Sequence, residues 1–183
     1  ERGRGAVVVA AADRGVVAEG VSACPQEGTR QMVLNFLSGG AAINQFALTA
    51  DCAVYVLDVG VVGELPDHPG LLKRKVRPGT ANLARGPAMT PEEAERALLA
   101  GREAARRAIA EGATLLAAGD MGIGNTTAAA ALTAALLGLP PEAVVGRGTG
   151  VGEEGLRRKR EAVARALARL HPGMGPLEVA AEV

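Results

Sequence analysis

Apolar and polar positions fall in blocks along this chain rather than alternating one by one. Residues 6–12 form a continuous apolar run between Gly5 and Asp13, and residues 53–57 form a second, β-branched run closed by Asp58. Unbroken runs of this length predict strands buried on both faces, as in a parallel sheet. Residues 113–118 predict a third strand, which runs straight into the glycine-rich stretch Gly119 to Thr127 and then into a helix over 128–137. Between the first two strands, Met32, Val33, Phe36 and Leu37 recur at helical spacing and predict a helix over 29–37. Gly39-Gly40 interrupts it, and a second short helix follows over 41–48.

Thr90-Pro91-Glu92-Glu93 has the makings of a helix start. Thr is the cap, Pro occupies the first helical position, and a Glu three residues after the cap can return a hydrogen bond. The helix is predicted to reach Ile109, with Ala94, Ala97, Leu98, Gly101, Ala105, Ala108 and Ile109 on one stripe that packs on the sheet through small residues, and Gly112 as its stop. A last, Arg-rich helix is predicted over 153–170, ended by Pro172 and Gly173. Residues 60–86, rich in Gly, Pro and basic side chains, read as a long surface loop. Strand and helix therefore alternate in one α/β domain over 1–183, an open, mostly parallel sheet with helices on both faces. Ligands of such sheets sit outside the carboxyl ends of the strands, where Asp13, Asp58 and the Gly119-to-Thr127 turn all fall.

Composition narrows the function. Twenty basic residues offset twenty acidic ones, so no positive field is available to hold a nucleic acid. Aromatic residues make up 2%, too few for base-stacking platforms. Cys24 and Cys52 lack metal-ligand spacing and fit a reducing cytoplasm. No apolar run approaches the roughly 20 residues that span a bilayer, and the expected protein is soluble and free of membrane.

The stretch Gly119-x4-Gly124-Asn125-Thr126 resembles the phosphate loop of nucleoside triphosphatases, except that Asn125 stands where that loop has a lysine. A triphosphate is thereby disfavoured. A phosphomonoester, held by backbone N–H groups, hydroxyls and one more distant cation, is the better match. Gly146-x-Gly148-x-Gly150 lacks the last spacing of a dinucleotide fingerprint. Arg157 to Arg160 open the last helix and read as a solvated face, Lys159 excepted. His68 and His171 each stand beside a proline without a second histidine, and no metal site is expected.

Taken together, these segments resemble the nicotinate-nucleotide:dimethylbenzimidazole phosphoribosyltransferase family, which serves assembly of the lower ligand of cobalamin. The collinear matches are residues 11–16, 20–27, 29–36, 39–44 and 58–61, then Asp120 to Thr127, and Gly146 to Gly150 followed by Lys159. The resemblance implies a Rossmann-like three-layer fold, no cofactor, and a reaction that displaces nicotinate from C1′ of nicotinate mononucleotide with a nitrogen of 5,6-dimethylbenzimidazole. It implies phosphate and ribose contacts from Gly122, Gly124, Asn125, Thr126, Gly148, Thr149 and Lys159. Asp120 takes the place of a carboxylate near the ribose, Ser22 and Gln31 fall in the benzimidazole stretch, and a homodimer is implied.

Three departures from the family pattern stand out. Arg14 occupies a position that is usually His. Asp120 replaces a usual Glu, which shortens the side chain by one bond, roughly 1.5 Å. Family members continue past residues 176–179 into a region holding the glutamate usually assigned as general base, so the chain is expected to be the core portion of a longer enzyme. The alternative is a nucleotide-binding module with little or no turnover.

Overall fold

The computed structural model describes residues 3–183, which form two compact units. The first comprises the chain through Ala12, Glu27–Pro78 and Arg96–Met121; the second comprises Asp13–Gln26, Gly79–Glu95 and Gly122–Val183.

The first unit is built on a four-stranded sheet of β1 (Gly5–Ala12), β2 (Cys52–Gly60), β3 (Leu71–Lys73) and β4 (Leu115–Met121), in the order β3-β2-β1-β4. All three pairings are parallel, as the unbroken apolar runs predict. The chain steps from β1 to β2 and β3 on one side, then returns to place β4 on the other side of β1. The carboxyl ends of β1 and β4 are thus the topological switch point of the sheet.

Side chains alternate between two buried layers, so the sheet carries helices on both faces. Tyr55 and Leu57 of β2 join Ala100, Ala104 and Ala108 of helix α3 (Pro91–Ala110) on one face, and Val56 joins Val33 of helix α1 (Gly28–Leu37) on the other. Helix α2 (Ala42–Thr49) lies beside β2. The α3 stripe packs through small residues as expected, with Ala94 and Ala108 buried, and corrects the sequence reading at its larger members. Ala104 and Ala108 are fully buried, whereas Leu98 and Ile109 are 65% and 56% exposed. Alanine lets the helix axis approach the bulky Tyr55, Leu57 and Leu72, and the larger residues of the predicted stripe are turned outward.

β3 lies inside the stretch read as loop. Its three residues pair with Val56 to Asp58 and form one edge of the sheet. The β1–β2 register slips after Ala11, where Ala12 pairs with Gly60 and Val59 is passed over. Asp58 steadies this bulge: it is buried, and its Oδ1 accepts a hydrogen bond from the Val61 N–H at 2.8 Å. At the opposite edge, β4 is open to solvent along most of its length, with Leu115 68% exposed.

The second unit is helical. It holds a 3₁₀ turn at Gly15–Glu19, α4 (Asn125–Leu137), the single turn α5 (Pro141–Val144), α6 (Glu153–Leu167) and α7 (Pro176–Glu182). Ala130, Ala131 and Ala134 of α4 meet Ala162, Val163 and Ala166 of α6 in one core, small residues that let the two helices pack closely. The sequence reading does not include α5 and α7. Pro141 and Pro176 open them, each at the first helical position.

Candidate functional site

Lys159 is the largest fully buried side chain among the described residues, 1% exposed, on the inner face of α6. A lone ammonium in such a place is costly unless it is hydrogen-bonded. Its Nζ donates to Thr126 Oγ1 at 2.7 Å and to the Gly146 carbonyl at 2.9 Å. Among the described residues, the third proton of the ammonium meets no acceptor. Burial holds the Lys159 pKa below the ordinary lysine value.

These two contacts join the two glycine stretches singled out from the sequence. Thr126 belongs to the first turn of α4, which begins behind Gly124 at φ +84°. A Cβ on Gly124 would stand 2.9 Å from Val17 Cγ2, with Arg14 Cβ also nearby, so both the backbone conformation and the space require glycine. The turn is closed by the Asn125 N–H donating to the Gly122 carbonyl at 2.9 Å. From the other side, Gly148 at φ +57° brings its backbone over the pair: a Cβ there would lie 2.8 Å from Thr126 Oγ1. Arg147 folds this loop back, donating to the Val151 carbonyl at 3.1 Å and pairing with Glu153 at the start of α6.

These contacts bring together Gly122, Gly124, Asn125, Thr126, Gly148 and Lys159, with Thr149 exposed in the second loop. The α4 N-terminus supplies the positive end of a helix dipole, with the Asn125 and Thr127 N–H groups closing the turn onto Gly122 and Gly124, and Lys159 supplies a full charge. Such a set is suited to an anion that brings several oxygens. Thr127 adds a fully buried hydroxyl in the same helical turn that finds no hydrogen-bond partner among the described residues.

The remaining predicted residues belong to other segments of the chain. Asp120 is exposed at the carboxyl end of β4 in the first unit, in register with Ala10. Ser22 belongs to the second unit, where its hydroxyl accepts from the Cys24 N–H at 3.1 Å, whereas Gln31 is exposed on α1 in the first unit. Asp58 has its strand-end role in the first unit, with Lys75 Nζ 3.6 Å from its Oδ2, and Asp13 is buried in the second. The sequence reading misses the Gly146 carbonyl and Thr127. The doubled Thr126-Thr127 behind a glycine turn is the available signal for Thr127; a carbonyl acceptor leaves none.

A family model described as phosphoribosyltransferase matches residues 1–183, the entire chain. This chain belongs to the phosphoribosyltransferase family. Over all 183 residues it is 96% identical to the nicotinate-nucleotide–dimethylbenzimidazole phosphoribosyltransferase of Thermus thermophilus, of which it covers 55%. It is 58% identical over 167 residues to the protein of the same name from Chromobacterium violaceum, spanning 91% of this chain and 48% of that one. Its coordinates match the crystal structure of CobT from Thermus thermophilus with a TM-score of 0.99, over 100% of this chain and 55% of the other. The chain thus spans about half the length of the curated family members it matches. Among the described residues there is no cluster of metal-ligating side chains, and no helix is long and apolar enough to cross a membrane.

Proposed function

We propose that the chain provides the phosphate-anchoring core of an enzyme that transfers phosphoribose from nicotinate mononucleotide to 5,6-dimethylbenzimidazole, giving α-ribazole 5′-phosphate and nicotinate. The observation that carries this reading is the buried Lys159 ammonium linking the α4 N-terminus to the Gly146-to-Gly150 loop. A phosphomonoester dianion fits this set of donors. A triphosphate would need the second cation that Asn125 does not supply.

Anchoring the phosphate fixes the ribose for reaction at C1′. The bond from C1′ to the pyridinium nitrogen breaks with its electron pair returning to that nitrogen, which discharges the ring and makes nicotinate a good leaving group. A benzimidazole nitrogen forms the new bond to C1′, and the N–H proton of that base passes to a carboxylate. Asp120, two residues ahead of Gly122 in the chain, is the carboxylate assigned to the ribose side, where a negative charge stabilises the oxocarbenium-like carbon. Ser22 and Gln31 are assigned to the benzimidazole. The same reading makes the protein a homodimer of the cytoplasm, in keeping with its two free cysteines.

Calorimetric titration of the chain with nicotinate mononucleotide tests the anchor, and chromatography after incubation with both substrates tests turnover. Saturable binding together with α-ribazole phosphate supports the full reading. Binding without product restricts the chain to nucleotide capture, and absence of binding removes the site assignment. Sedimentation and cell fractionation check the dimer and its compartment.

A further inference from the structure

Glu19 is joined to three side chains from two distant stretches of the second unit. Its Oε1 accepts from Asn82 Nδ2 at 2.7 Å and from Arg85 Nε at 2.9 Å, and its Oε2 accepts from Arg165 Nη2 at 2.8 Å. The carboxylate is 11% exposed. Burying a charge among charged donors seldom stabilises a fold more than a well-packed apolar residue does. What such a network does supply is a fixed direction for each donor.

The directions matter because of what Glu19 terminates. It is the last residue of the 3₁₀ turn Gly15–Glu19, whose start is tied down by the Gly15 N–H donating to Thr80 Oγ1 at 3.3 Å. The next residue, Gly20, offers its carbonyl to Arg158 Nε at 2.9 Å. Arg158 and Arg165 are two helical turns apart, so the 3₁₀ turn is bolted to one face of α6 at two levels, and Lys159 leaves α6 beside the upper bolt. The opposite side of the turn carries Val16 and Val17, and these two side chains are what a Cβ on Gly124 would meet, at 3.6 and 2.9 Å. The turn is therefore a wedge between α6, which carries the cation, and the glycine bend that opens α4.

We propose that Glu19 is a positioning residue for the phosphate cradle: by clamping this wedge to Asn82, Arg85 and Arg165, it sets the spacing between the α4 N-terminus and Lys159. The inference rests on the phosphate-anchor reading for its functional meaning, but the spacing itself is measurable without ligand. Lys159 is one of three lysines in the chain, with Lys73 and Lys75. Lysine-selective isotope labelling therefore gives a separate NMR titration of its ammonium.

The test compares wild type with Glu19→Gln, and with Arg165→Met as a milder variant that removes one strut. Loosening the wedge admits water, so the Lys159 titration moves up toward the ordinary lysine value in both variants. Affinity for nicotinate mononucleotide, read by calorimetry, falls at least tenfold in Glu19→Gln and by a smaller factor in Arg165→Met. A lowered melting temperature with an unchanged Lys159 titration and unchanged affinity, in either folded variant, overturns the proposal. If wild type binds no nucleotide, the anchor reading fails by itself, and the Lys159 titration alone still decides whether Glu19 sets the seat of the cation.

Discussion

Gly148 and Lys159 meet with no side chain between them: a Cβ added to Gly148 would stand 3.1 Å from the Lys159 Nζ. Gly148→Ala accordingly carries two penalties, the left-handed backbone at φ +57° and intrusion on the cation and Thr126. The first amounts to about 1 kcal/mol. The melting temperature should therefore fall by about 2–4 °C, while nucleotide affinity should drop about tenfold, or ~1.4 kcal/mol. Parallel calorimetry and thermal melts separate the two effects.

Lys159→Met removes the buried charge and keeps the length of the side chain. Nucleotide binding should be lost, yet stability at pH 7 should be unchanged or raised, because Thr126 and Gly146 are exposed and can turn to water. The pH dependence carries a definite sign. Burial depresses the Lys159 pKa in the folded chain, so the unfolded chain holds more protons between that value and the ordinary one of about 10.4. Wild type should therefore gain stability as pH rises through this window, and Lys159→Met should lack the gain. Denaturant melts from pH 7 to 11 provide the check.

In the first unit, the Tyr55 hydroxyl donates to Glu111 Oε2 at 2.6 Å, and this bond, ahead of burial, raises the Tyr55 pKa above its usual value near 10. The neutral phenol is favoured by folding, so its contribution is complete below pH 10 and is lost as pH climbs through the folded pKa. Tyr55→Phe should lower the melting temperature at pH 7 and abolish this alkaline loss. The wild-type and variant curves should converge once pH has passed the raised Tyr55 pKa.

β4 leaves the outer side of the sheet without a further strand among the described residues, and Leu115 and Leu116 stand 68% and 39% exposed along it. An open edge whose first five residues are uncharged, with Asp120 only near its end, is a template for pairing with other chains. The chain should self-associate as its concentration rises, and Leu115→Lys should reduce this several-fold without loss of nucleotide binding. Light scattering over a concentration series reads the difference.

The central strands are legible because a parallel sheet buries both faces and so leaves unbroken apolar runs at β1 and β2. β3 is not, since three residues ending in a lysine carry no periodicity. In α3 the expected packing through small residues is met, and Ala94 and Ala108 of the predicted stripe are buried; the stripe misses by one position where Ala100 and Ala104 are buried beside the predicted Gly101 and Ala105, and Leu98 and Ile109 face outward. Within the candidate site, both glycine bends can be read directly. Lys159 cannot be separated from its arginine neighbours by composition, and stands out through the family resemblance. Glu19 is invisible in the sequence because its partners Asn82, Arg85 and Arg165 lie 63, 66 and 146 residues away, beyond any local pattern.

That separation also orders events during synthesis. The bond between Gly20 and Arg158 spans 138 residues, and contacts of such range form late because a long loop must first be closed. A nascent chain on the ribosome can shape its early strands well before α6 emerges. On the proposed anchoring, phosphate capture needs the residues through Arg165 to have left the exit tunnel, so it follows the joining of the 3₁₀ turn to α6 rather than preceding it.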